Sequence, residues 1–180
     1  MTESIRVHVA EIDTPIGEMV AAASDSHLLL LEFCNRRILE TQLERVKRAM
    51  MCVFERGESP VFMPLRAQLD EYFRGERRDF DVPIHVPGTA FQSRVWAELQ
   101  LIPSGTTTTY ARVAQSIGQP TAVRAAAKAN GDNRIAILIP CHRVIGSDGQ
   151  LVGYGGGLWR KRRLLELEGR ASRLPLFDVV

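Results

Sequence analysis

Apolar and polar residues alternate through IRVHVAEI (residues 5–12) and, less strictly, through EMVAAAS (18–24). They then merge into an almost wholly apolar run in DSHLLLLEF (25–33). TPIG lies between the first two stretches as a turn. A period of two, punctuated in this way, predicts a small antiparallel meander. From residue 37 to 54 the period changes. Ile38, Leu39, Leu43, Val46 and Met50 recur at helical spacing among charged residues, which predicts a helix that includes Cys52. ESPVFMPLRAQLDEYFRGE (58–76) predicts another, with Pro64 in its first turn and Leu65, Leu69, Tyr72 and Phe73 on one face. RRDFDVPIHVPG (77–88) carries two prolines and reads as an extended connector. The chain is expected to divide there into two domains, 1–87 and 88–180.

The second part reads as mostly helical. TAFQSRVWAELQLIPSG places Phe91, Val95, Trp96 and Leu99 on one stripe and stops at Pro-Ser-Gly. TTTTYARVAQSIGQP opens on capping threonines and closes at Gly118 and Pro120. TAVRAAAKANGDN is a short alanine-rich helix, and IGQPTA joins it to its predecessor as in a helix-turn-helix. IAILIP (135–140) is too short and apolar for a surface helix and predicts a buried strand or extended run. GSDGQLVGYGGG (146–157) is a turn followed by a glycine-rich loop. LWRKRRLLELEG (158–169) is a closing helix, with Leu158, Leu164, Leu165 and Leu167 available to a core and Gly169 as its stop. The overall expectation is an α+β protein, with a small antiparallel sheet and helices first and a helix-turn-helix domain second.

Composition adds little beyond an ordinary globular protein: 180 residues, 45% hydrophobic and 24% charged, net charge +2. The last third is locally basic, and a basic face bears more on nucleic-acid contact than net charge does. Three cysteines without regular spacing form neither a disulfide framework nor a CxxC zinc site. His8, His27 and His85 make no convincing ligand set with Cys34, so neither a metal nor a cofactor is expected. The N-terminus lacks a signal-peptide core, and no apolar run is long enough to span a bilayer, so a cytoplasmic location is expected.

The chemistry concentrates in LIPCHRVIG (138–146). A thiol attacks as thiolate, a histidine can take its proton, and an acid can orient the imidazole. Cys141 and His142 supply the first two, and the closing helix offers Glu166 and Glu168. Neighbours on a strand point to opposite faces, so a bridging water or a sharp turn is needed to couple them. Taken alone, the pair suits a thiol hydrolase or a redox enzyme as well as a transferase. Cys34 and Cys52 read as packed core.

IPCHRVIG, preceded by NRIAIL and followed by GYGGGLWRKRRLLELEG, resembles the active-site region of the O6-alkylguanine-DNA alkyltransferases of bacterial type. The likeness extends back through GTAFQSRVWAELQLIPSGTTTTYARVAQSIGQPTAVRAAAKAN, about half the chain in order. It implies a ribonuclease H-like first domain. It also implies single-turnover, irreversible transfer of an alkyl group from O6-methylguanine, and from O4-methylthymine, to Cys141. In that family His142 corresponds to the water-linked base, Glu168 (rather than Glu166) to the acid, and Asn133 to the brace of the active-site turn. Tyr110, Val144, Tyr154 and Gly155 correspond to the walls of the base and alkyl pocket. Gly155 stands where some relatives carry serine. Arg124 corresponds to the residue that fills the gap left by a flipped nucleotide, with Gln92, Gln119, Ala122, Lys128 and Ser147 as further DNA contacts. The expected partner is double-stranded DNA, bound through its minor groove with the base flipped out, by a protein monomeric in solution.

Lys128 and Arg134 are candidate phosphate contacts. Most of Arg160, Lys161, Arg162 and Arg163 read as a solvated helix face. The resemblance aligns Lys161 with a lysine of the family. A sequence-specific helix-turn-helix regulator is the competing reading, and it requires base-reading side chains on the alanine-rich helix. A thiol hydrolase would turn over and ignore DNA. Stoichiometry separates the three. The tail RASRLPLFDVV receives no role.

Overall fold

In a computed structural model of the chain, residues 5–172 are described, with side chains through Gly169. They form two compact units that divide between Pro87 and Gly88.

The first unit carries the meander. β1 (Ile5–Ile12), β2 (Met19–Ala23) and β3 (Leu28–Phe33) pair antiparallel in sequence order. The Thr14–Gly17 turn is closed by backbone and side-chain hydrogen bonds. All six residues of β3 are buried, which accounts for its unbroken apolar run. Its one acid, Glu32, is paired with Arg36. α1 (Leu39–Met50) follows.

Residues 52–56 depart from the sequence expectation. Cys52–Arg56 is a strand, β4, which pairs parallel to β1 and gives the sheet order β3-β2-β1-β4. Cys52 is therefore buried on a strand rather than a helix. The helix stops because Met51 turns left-handed, at φ 48°. Such a residue costs roughly 1–2 kcal/mol with any L side chain but little for glycine. Met51 is 82% exposed and loses no packing. Met51→Gly is therefore expected to stabilise the unit by about 1 kcal/mol, read as a higher midpoint in urea at unchanged slope. α2 (Phe62–Phe73) buries Leu65, Leu69 and Tyr72, with Pro64 in its first turn. Ile84, on the connector, bridges to Leu28.

The second unit contains α3 (Ala90–Gln100), α4 (Tyr110–Ser116), α5 (Val123–Gly131) and α6 (Leu158–Ser172). Thr89 and Gln92 close a capping box at the head of α3, whose Val95, Trp96 and Leu99 face the core. Thr109 caps α4, and Gly118, at φ 73°, turns the chain toward α5. α3, α4 and α5 all pack against one another. Two short strands that sequence periodicity does not reveal, β5 (Thr108–Thr109) and β6 (Val144–Ile145), pair parallel. They bring the start of α4 beside the chain that leaves Cys141.

Further differences appear near the C-terminus. IAILIP is mostly buried but does not run on as a strand. After a single bridge residue, Ile135, it folds as tight turns, with Ile137 left-handed at φ 73°. Gly169 does not end α6, which continues to Ser172. Leu158 is exposed, and the core takes Leu164 and Leu165. The unassigned tail lies outside the described residues from Arg173 onward.

Candidate active site

Cys141, His142 and Arg143 form one short 3-10 turn between the buried turns of 135–140 and β6. The chain thus turns sharply between the thiol and the imidazole. All three side chains are buried. Asn133 holds the approach. Its Nδ2 donates to the carbonyl of Ile139 at 2.9 Å, to that of Ile135 at 3.3 Å and to Cys141 Sγ at 3.1 Å. Its Oδ1 accepts from the Ile135 amide at 3.0 Å. One amide side chain thus pins both ends of the strained segment that contains Ile137, and it touches the sulfur.

Glu168 reaches the same turn from α6. Its Oε1 lies 2.8 Å from His142 Nε2. Arg143 grips both carboxylate oxygens, Nε on Oε2 at 3.0 Å and Nη2 on Oε1 at 2.8 Å, and its Nη1 donates to the Ile102 carbonyl at 2.5 Å. Glu166 instead pairs with Arg163 at 3.4 Å, away from the turn. Burial acts to raise the Glu168 carboxyl, but His142 and Arg143 outweigh it and hold the group well below the usual carboxylate range. Burial lowers the affinity of His142 for a proton, against the pull of Glu168, and keeps the ring neutral. An ionised Glu168 fixes the ring with Nε2 as donor. Nδ1, buried and without a hydrogen-bond partner among the described residues, is then the basic nitrogen.

Two more polar groups converge beside the thiol. The Tyr110 hydroxyl, at the first position of α4, donates to the carbonyls of Val152 at 3.2 Å and Gly153 at 3.5 Å. Burial, and then the charge of Cys141, raise the Tyr110 hydroxyl above its ordinary value, so it stays a proton donor. Lys161, wholly buried, reaches the same loop from α6. Tyr154 lies half-buried further along that loop and Gly155 is exposed. The loop's left-handed glycines are Gly153 and Gly157. A Cβ on Gly153 would stand 3.4 Å from the Tyr110 hydroxyl. Among the described residues no three His, Cys, Asp or Glu side chains are placed to hold a metal ion.

Comparison with known proteins follows the same division of the chain. Residues 7–86 match the ribonuclease-like domain of 6-O-methylguanine DNA methyltransferase, and residues 90–170 match its DNA binding domain. A methylated-DNA–protein-cysteine methyltransferase of Mycobacterium tuberculosis is 45% identical over 174 residues, 96% of this chain and 99% of that protein. The chain belongs to the 6-O-methylguanine DNA methyltransferase family. The crystal structure of the M. tuberculosis O6-methylguanine methyltransferase superposes with a TM-score of 0.78 at 44% identity, covering 94% of this chain and 95% of that one. A structure of the M. tuberculosis protein in complex with DNA superposes at 0.76 with 42% identity, covering 97% and 100%.

The residues that the family resemblance assigns to DNA contact are not equally available in this methyltransferase fold. Arg124 is exposed near the start of α5, Ser147 is exposed on the turn after β6, and Gln119 and Ala122 lie partly exposed between α4 and α5. Gln92 is occupied: its Oε1 accepts from the Thr89 amide and its Nε2 donates to Asp132 at 3.2 Å. Lys128 pairs with the same Asp132 at 3.1 Å, although its side chain is largely exposed. Arg134 is not a surface cation. It is buried, with its guanidinium 5.5 Å from the centre of the Trp96 ring. Arg160 and Lys161 are likewise buried, contrary to the solvated face read from the sequence, whereas Arg162 and Arg163 are exposed. Val144 is fully buried at the head of β6.

Two residues of the site carried no assigned role in the sequence reading, Arg143 and Lys161. Arg143 sits inside the PCHRV motif, where it could be taken for a surface cation. The signal that could have raised it was the presence of an arginine in a run otherwise apolar enough to be buried, which requires a buried acid as partner.

Proposed function

We propose that the protein repairs alkylated DNA by moving the alkyl group from O6 of guanine irreversibly onto its own Cys141. The observation that carries this reading is a buried thiol joined through a tight turn to a neutral histidine, itself fixed by an ionised carboxylate, in a chain of this family. His142 Nδ1 takes the thiol proton through a bridging water. The sulfur then attacks the alkyl carbon, the carbon–O6 bond breaks, and its electron pair stays with the base. The Tyr110 hydroxyl, kept protonated by burial, gives the leaving ring a hydrogen bond or a proton. Among the described residues no group beside Cys141 is suited to cleave the S–C bond of the thioether, so each molecule acts once.

The buried position of Cys141 requires the base to leave the duplex. We infer that α5 meets the minor groove, where its alanines permit close approach, and that Arg124 occupies the gap left in the stack. Gln119, Ala122 and Ser147 flank that contact. Tyr154 and Gly155 wall the alkyl pocket, with the buried Val144 behind it. The small side chains of α5 offer little to a reader of base edges, which weighs against a sequence-specific regulator. A monomer acting in the cytoplasm fits this reading.

The test is the intact mass of the protein after incubation with duplex DNA containing O6-methylguanine, beside Cys141→Ala. One methyl group gained per molecule, mapped to Cys141 and absent from the variant, is expected. Unmodified protein that still binds the DNA would overturn transfer, and repeated turnover would favour a hydrolase.

A further inference from the structure

The end of α5 carries an acid where the helix itself disfavours one. Asp132 is its C-cap, and the C-terminal end of a helix dipole repels a carboxylate. The side chain is largely buried. One oxygen, Oδ2, accepts from Lys128 Nζ at 3.1 Å and from Gln92 Nε2 at 3.2 Å. Arg124, Lys128 and Asp132 follow one another at intervals of four residues, a spacing that sets them along one side of a helix. Arg124 and Lys128 are exposed. The side of α5 that the proposed function lays against DNA therefore reads cation, cation, anion. The anion holds both Lys128 and Gln92, two of the residues that the family resemblance assigns to DNA contact.

We propose that Asp132 is a positioning residue that loosens the grip of this protein on undamaged DNA, by competing with phosphate for the Lys128 ammonium. The Lys128 side chain is 76% exposed, so its ammonium can swing to a phosphate without disturbing the helix. To do so it must leave Asp132, and the phosphate must then lie near a carboxylate of like charge. Phosphate contacts carry no information about sequence or lesion, so the penalty falls on every duplex alike. The contacts of a flipped base are made elsewhere, around Cys141. Lesion recognition is thus spared while retention on intact DNA is weakened. For a molecule that acts once, release from intact duplex keeps it available for the search.

This inference rests on the proposed meeting of α5 with DNA, and the test separates the two. Dissociation constants for an undamaged duplex are measured from about 50 to about 200 mM salt. The proteins compared are the natural one, Asp132→Asn, Arg124→Met, Lys128→Met and the double variant Asp132→Asn with Lys128→Met. Asparagine keeps an oxygen for Gln92 and removes only the charge. Asp132→Asn is expected to bind about two- to fivefold tighter at the lower salt, the range set by an exposed ion pair. Its affinity is expected to fall more steeply with salt, by about one unit of log–log slope, because Lys128 then neutralises a phosphate. In the Lys128→Met background the same substitution is expected to leave the slope unchanged.

An Asp132→Asn protein that binds no tighter, or no more steeply with salt, would overturn the competition. The same steepening in the Lys128→Met background would also overturn it, since the carboxylate would then act on DNA directly. If Arg124→Met and Lys128→Met both bind as the natural protein does, α5 is not the DNA face, and the proposed mode of binding falls together with this inference. Asp132→Ala is measured alongside, with urea unfolding of each variant, and decides the outcome if Asp132→Asn does not fold.

Discussion

Glu168→Gln is expected to destabilise the second unit by about 3–5 kcal/mol, the usual cost of removing one partner from a buried ion pair. Glutamine matches the size of glutamate but leaves the Arg143 guanidinium buried without a counter-charge. Its amide also presents hydrogens where Arg143 and His142 Nε2 both need acceptors. The imidazole then loses the bond that fixes its tautomer. Single-turnover transfer is expected to slow by at least about a hundredfold, the lower range for a displaced general base. Urea unfolding and transfer rates, each compared with Glu166→Gln, check both parts. Glu166 lies at the surface with Arg163, and its replacement is expected to change neither appreciably.

The same carboxylate gives a pH signature. A group held below its ordinary value in the folded protein contributes stability that is present above the unfolded value and lost as pH falls. His142 acts in the same sense, since burial makes it a poorer base folded than unfolded. The natural protein should therefore lose stability through mildly to strongly acid pH more steeply than Glu168→Gln.

Asn133→Ala is expected to cost about 2–3 kcal/mol and at least about tenfold in transfer rate. The Ile135 amide and the Ile139 carbonyl would both lose a buried partner. Ile137 sits between them in a left-handed conformation that a β-branched residue adopts only when its surroundings enforce it. With the brace gone, the turn can relax and carry Cys141 with it. Asn133→Asp separates support from electrostatics. It keeps the acceptor for Ile135 but places a carboxylate near a sulfur that must become negative, so it should impair transfer more than stability. Iodoacetamide reactivity of Cys141, measured beside transfer, distinguishes a displaced thiol from one whose ionisation is disfavoured.

The long periodic segments were legible. The meander and α1 through α6 lay in patterns of period two or 3.6, and the resemblance pointed to Glu168, the glutamate that lies beside His142, where Glu166 does not. β4 was not, because only Met51 separates its five residues from the helix, and the apolar spacing of the helix carries on past that left-handed residue into the strand. β5 and β6 have two residues each, too few for any period. IAILIP has the composition of a buried strand, and the force that folds it into turns is a side chain outside it, Asn133. Burial of Arg134, Arg160 and Lys161 was hidden for a related reason. Charge predicts exposure unless a partner is known, and here the partners include two aromatic rings, the Gly156 carbonyl and three further carbonyls. Gln92 kept its place at the head of α3 but spends its amide on the cap and Asp132.

The ties among Ile102, Arg143, His142 and Glu168 also order events in time. Glu168 follows His142 by 26 residues, so the relay closes only when α6 has formed and docked against the turn. Until then the imidazole lacks the carboxylate that fixes its tautomer, and the thiol is an ordinary one.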